Sequence, residues 1–152
     1  MTSTSPDTVT TAWQPFREPL RATLTRTIGI ALVGGAVLSR RWGGLAWWPL
    51  ASVVVLWPSL GGHMLEIWFL NWLRPRLPHA RGVQIAARLT TWFLGGVLLW
   101  FAMQLTVAIT TGAPLAPRAA WWMGGVAFIG IELVAQLTLQ LRGRPSFYDG
   151  RG

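Results

Sequence analysis

Apolar residues in this chain come in long runs, separated by short clusters of arginine, proline and glycine. The clearest run lies between Arg88 and Arg118, where no Asp, Glu, Lys or Arg occurs. About 20 such residues span a hydrocarbon core as a helix. This run predicts a span over residues 89–110, and a further one follows over 119–141. Between them, Thr111-Gly112-Ala113-Pro114-Leu115-Ala116-Pro117-Arg118 has the glycine and prolines of a turn. Upstream, residues 45–73 form a second span that is longer than one crossing needs and contains Pro49, Pro58 and the Gly61-Gly62 pair. A proline inside a helix removes one backbone hydrogen bond and presses on the preceding turn. The second helix is therefore predicted to be kinked or broken near Pro58 and Gly61. The first span, residues 20–38, has the shortest uncharged stretch, and a re-entrant or surface-lying helix is its alternative. The predicted fold is an all-α integral membrane protein, a bundle of four transmembrane helices.

The flanks read differently. Residues 1–12 are rich in Ser and Thr, lack the basic start of a signal peptide, and are expected to be a disordered cytoplasmic tail. From Trp13 the spacing of Phe16, Leu20, Leu24 and Ile28 suits a helix rising from a membrane surface, so the membrane domain is set at residues 13–141. Residues 142–152 are polar and breaker-rich, which predicts a mobile cytoplasmic tail. Orientation follows from arginine. With both termini in the cytoplasm, Arg40, Arg41 and Arg118 lie outside and the other ten lie inside, as the positive-inside rule favours. A bacterial inner membrane is the expected location.

Composition supports this reading, with 52% of residues apolar and 12% charged, too little polar surface for a water-soluble domain. The formal charge of +8 does not point to nucleic acid, because the arginines sit beside the apolar runs instead of on one face. Arg74, Arg76, Arg81, Arg88, Arg142 and Arg144 are expected to contact lipid phosphates. Trp42, Trp47, Trp48, Trp68, Trp72, Trp92, Trp121 and Trp122 fall near span ends and are expected to anchor at the membrane interface. Trp57 and Trp100 lie deeper and are the better candidates for an aromatic wall around a lipophilic ligand. The glycine pairs Gly34-Gly35, Gly61-Gly62, Gly95-Gly96 and Gly124-Gly125 predict close helix packing. With no Lys and no Cys, lysine Schiff-base and thiolate chemistry are excluded, and no GxSxG motif is present.

One polar cluster stands out. Ionisable groups inside a bilayer are costly and normally face a partner or a cavity. His63 and Glu66 share a helix face in the second span, and Glu132 lies in the fourth. Counted from Arg74 and Arg142, the three lie at similar depths, about 12 to 16 Å inward at about 1.5 Å per residue. Glu132 is therefore expected to approach the His63-Glu66 face. Such a cluster has three readings: a structural tie within the bundle, a proton, ion or ligand site, or a metal site. The metal reading is weakened because bundle di-metal sites use repeated Glu-x-x-His pairs. No catalytic residue is indicated, and the sequence leaves any cofactor open. Short loops favour a non-enzymatic accessory or helper subunit of a larger membrane complex. Its alternatives are a proton-coupled or transport protein using His63, Glu66 and Glu132, and an intramembrane enzyme with a carboxyl as general acid. Expected partners are membrane lipid and other membrane subunits or further copies of the chain, not nucleic acid.

Overall fold

In the computed structural model, residues 20–143 and 147–149 are described. They form four long helices, α1 (Leu20–Arg41), α2 (Trp48–Trp68), α3 (Arg81–Thr111) and α4 (Trp122–Leu141), with no strand among the described residues. Short turns of tighter helix precede α2 and α4, at Leu45–Trp47 and Arg118–Ala120, and a last one follows α4 at Phe147–Asp149. Each of the four long elements is long and apolar enough to cross a membrane. Residues 1–12, expected as a tail, lie outside the described residues.

Packing follows chain order: α1 lies on α2, α2 on α3 and α3 on α4, while α1 and α4 are not a principal packing pair. Small residues make these approaches possible. A Cβ added to Gly35 would stand 2.6 Å from the Ser52 backbone, and one added to Gly96 would stand 2.5 Å from the Gly124 carbonyl oxygen. Both crossings therefore bring backbone against backbone, which any larger side chain would prevent. Between α2 and α3 the fit is reciprocal. Leu99 covers Gly61, and Leu65 covers Gly95. The indole N–H of Trp48 also donates to the Leu32 carbonyl at 2.8 Å, pinning the start of α2 to α1.

Helix α2 runs without interruption through Pro58, so the break expected there is not present. Proline removes only its own N–H, and the Ser59 hydroxyl donates to the Val55 carbonyl at 3.0 Å in the adjoining turn. The irregularity comes later, where residues Phe69–Leu73 widen into a π turn before Arg74–Arg76 tighten the chain. Helix α3 begins at Arg81, two turns before the uncharged run that marked its predicted start. It ends at Gly112, whose φ of 70° is left-handed and whose N–H donates to the Ala108 carbonyl at 2.9 Å.

Burial is inverted relative to a water-soluble bundle. The interior holds Ala31, Ala51, Val54, Phe69, Trp92 and Phe128, but also Thr27, Ser39, Glu66, Arg88, Thr91, Glu132 and Gln136. Outside, large apolar side chains such as Val33, Leu98, Ile109 and Val134 are exposed along the helices. An apolar exterior around a polar interior is the arrangement suited to lipid as solvent.

Candidate functional site

Three helices each contribute one ionised-type side chain to the interior. Glu66 comes from the last turn of α2, Arg88 from the second turn of α3, and Glu132 from the middle of α4. Their relative exposures are 7%, 1% and 3%, so water reaches none of them freely. Arg88 is the hub. Its Nε–H donates to Glu132 Oε1 at 2.6 Å, and its Nη2 donates to Glu66 Oε1 at 3.0 Å and lies 2.8 Å from Glu66 Oε2. One guanidinium thus serves two carboxylates on two other helices. The planar fork of arginine suits this, because separate N–H groups point in separate directions while the charge stays delocalised.

Aromatic rings enclose the guanidinium. Its central carbon lies 4.6 Å from the Phe147 ring centre, 5.4 Å from that of Phe69 and 5.9 Å from that of Trp92. Phe69 falls in the π turn, where the widened backbone brings its ring, 0% exposed, against the site. Phe147 and Tyr148 belong to the turn after α4. The Phe147 N–H donates to Gln136 Oε1 at 3.0 Å, the Tyr148 hydroxyl makes a long 3.5 Å bond to Glu132 Oε1, and Arg81 donates to the Tyr148 carbonyl. Within the segment expected as a tail, the described pair Phe147 and Tyr148 lies against the buried charges. Burial, with the Glu132 carboxylate adding to it, pushes the Tyr148 phenol up to about 12.

A cavity of about 500 Å³ reaches the same charges from the side. Its lining includes Thr23 and Arg26 of α1, His63 and Glu66 of α2, Arg88 and Trp92 of α3, and Phe128, Ile131, Glu132 and Leu139 of α4. It therefore occupies the space left where α1 and α4 do not pack closely. His63, Glu66 and Glu132, singled out in the sequence, all line it. The two carboxylates are joined through Arg88, a residue the sequence reading placed elsewhere.

Arg88 and Trp92 are the corrections. Arg88 was expected at lipid phosphates because it borders an uncharged run, but the helix continues past it and turns it inward. Trp92, one turn later on the same face, is 8% exposed, and its ring centre is 6.0 Å from that of Phe128, so it is a core residue and not an interface anchor. The signal for both was helical spacing. Arg88, Trp92, Gly95 and Gly96 recur at intervals of four, three and one, on the face that packs. For Phe147 and Tyr148 the signal was an aromatic pair within a polar segment.

The other expected anchors are placed as follows. Trp47, Trp48, Trp68, Trp72 and Trp122 are exposed, whereas Trp42 and Trp121 are half-buried. Arg76 is exposed over the Trp72 ring at 4.2 Å, Arg74 lies 5.5 Å from the Phe147 ring, Arg81 and Arg142 are exposed, and Arg144 lies outside the described residues. Of the two deeper tryptophans, Trp57 donates to Thr106 Oγ1 at 2.9 Å, tying α2 to α3. Among the described residues no group of His, Cys, Asp and Glu is arranged to hold a metal ion. Comparison with family models, with curated proteins and with solved structures finds no match.

Proposed function

We infer that the chain is a non-enzymatic integral membrane protein of four spans, both termini cytoplasmic, that exchanges protons at the carboxyls of Glu66 and Glu132, which Arg88 holds together, in a binding or transport cycle. The observation that carries this reading is the cavity that reaches a buried pair of carboxylates sharing a single guanidinium. The two carboxylates share one guanidinium in a site of low dielectric, where uncompensated charge is costly. Arginine counts favour the stated orientation in a bacterial inner membrane, and Pro58 favours a bend in α2 that keeps its helical bonding.

A second reading is supported by the same guanidinium. Because Arg88 ties α3 to both α2 and α4, the triad suits a structural clamp inside an accessory subunit of a larger membrane complex. Purification in mild detergent separates the two. A lone chain or homo-oligomer that takes up and releases protons, with that exchange lost in Glu132→Gln while the variant stays folded, supports exchange. A stoichiometric larger assembly, with the variant altering only the amount of folded protein, favours the clamp.

A further inference from the structure

A second cavity, about 460 Å³ in volume, lies toward the opposite end of the bundle from Glu66, between α1 and the start of α2. Leu32, Val33, Ala36, Val37 and Arg40 line it from α1 at spacings of one and three, so they share one face of that helix. Four apolar residues thus lead to one charge. From Leu32 to Arg40 this stripe runs about 12 Å at about 1.5 Å per residue. Half of a hydrocarbon core of about 30 Å is about 15 Å deep. The groove therefore has the length and direction of an acyl chain in one leaflet, with its charged end where α1 stops. Its other walls are fixed by the fold. The chain reverses through Gly43 and Gly44, whose φ angles of 105° and 135° suit glycine, and the Gly44 N–H donates to the Ser39 carbonyl at 3.0 Å. That turn returns Leu45 to the groove, and Trp48 closes it with an indole held by its bond to the Leu32 carbonyl.

Charge at this end has one sign. Arg40 and Arg41 are adjacent and exposed, and no Asp or Glu occurs between residues 20 and 65. Among the described residues the carboxylates lie elsewhere: Glu66 in the last turn of α2, Glu132 midway along α4 and bound to Arg88, and Asp149 in the turn after α4. An arginine fork pairs with two oxygens of a phosphate, and two adjacent guanidinium groups favour a headgroup of net negative charge over a zwitterionic one. We propose that the groove holds one anionic phospholipid, an acyl chain lying along α1 from Val37 to Leu32 and the phosphodiester at Arg40 and Arg41. This site is separate from the buried triad. It requires that the helices lie in a membrane and is independent of proton exchange at Glu66 and Glu132.

The test is native mass spectrometry of the full-length chain in mild detergent, titrated with dioleoyl phosphatidylglycerol or dioleoyl phosphatidylcholine. Their acyl chains are the same, so only the headgroup differs. The chain should retain one phosphatidylglycerol, with an affinity roughly tenfold or more above that for phosphatidylcholine. Arg40→Gln combined with Arg41→Gln should remove this preference, whereas Arg74→Gln combined with Arg76→Gln, at the other end of α2, should preserve it. Val37→Trp, at a position 63% exposed, fills the groove from outside and should lower the affinity for both lipids. All these substitutions except Arg74→Gln fall on exposed residues, and circular dichroism checks the fold. Should either the double arginine variant or Val37→Trp misfold, the other decides. Equal affinity for the two lipids, a preference that survives the loss of Arg40 and Arg41, or unchanged binding in Val37→Trp would each overturn the assignment. So would a dimer that forms without lipid and is dissociated by Val37→Trp, because a second copy would then be the occupant.

Discussion

The Nε of Arg88 lies 2.6 Å from Oε1 of Glu132, across the interface between α3 and α4 and out of reach of water. This interface also brings the backbones of Gly96 and Gly124 together, too close for a side chain on either. Close backbone packing holds the two helices at a distance where a short, charge-assisted bond forms, and the bond in turn fixes their register.

That packing gives the first prediction. Gly96→Val places side-chain atoms against the Gly124 carbonyl and the Phe128 ring, and backbone cannot yield as a flexible side chain would. A loss of more than about 3 kcal/mol is expected, at the severe end of overpacking. At Gly130, where an added Cβ meets nothing within 4 Å, alanine should change stability by no more than about 1 kcal/mol. Thermal unfolding of the two variants in detergent checks the contrast, and equal effects would contradict the crossing.

Tyr148 is the only tyrosine in the chain, so phenolate absorption reports it alone. Its titration should centre near 12 instead of the ordinary 10.0. The folded state holds the neutral phenol more tightly than the unfolded chain does. This contribution to stability is complete below about 10 and is lost as pH rises through about 12. A midpoint at the ordinary value would mean that the turn is not docked.

Removal of that turn should open the site from its far side. Ending the chain at Gly143 deletes the Phe147 ring over Arg88 and the N–H that Gln136 accepts. Since the protein contains no cysteine, a single Phe69→Cys, placed under the Phe147 ring and leaving the Gln136 contact intact, provides a clean probe. Its reaction with a membrane-impermeant thiol reagent should be at least tenfold faster in the shortened chain. Equal rates would show that the aromatic pair does not cover the charges.

Topology is tested by reporter fusions. Those after Arg81 and Arg144 should report cytoplasm, and one near Pro114 the outside. A tag ahead of Trp13 tests whether the first helix crosses, and an external signal there would leave three spans.

The helices were legible as long apolar runs, and each predicted span overlaps a helix that is long and apolar enough to cross a membrane. Glu66 and Glu132 were legible for the opposite reason, as charges too costly to leave without partners. Their partner was not. Arg88 closes an uncharged run, so counting charge alone assigns it to the membrane surface, whereas a helix that begins at Arg81 carries it inward. Trp92 was misplaced by the same boundary. Pro58 signalled a weakened helix, yet the chain absorbs the lost bond and widens later, at Phe69–Leu73, where neither proline nor glycine marks the sequence. Docking of Phe147 depends on contacts with Phe69, Gln136 and Arg88 from three other elements, which no local pattern encodes.

The most direct test of the shared guanidinium is the stability of Arg88→Met beside that of the triple variant Arg88→Met, Glu66→Gln, Glu132→Gln. Loss of Arg88 alone strands two buried carboxylates and should cost about 3 to 5 kcal/mol, whereas neutralising all three groups should restore most of it. Unfolding midpoints measured in one detergent decide the matter: a large drop with recovery in the triple variant is the predicted result. A single variant as stable as the unaltered protein, or a triple variant no better than the single, would contradict it.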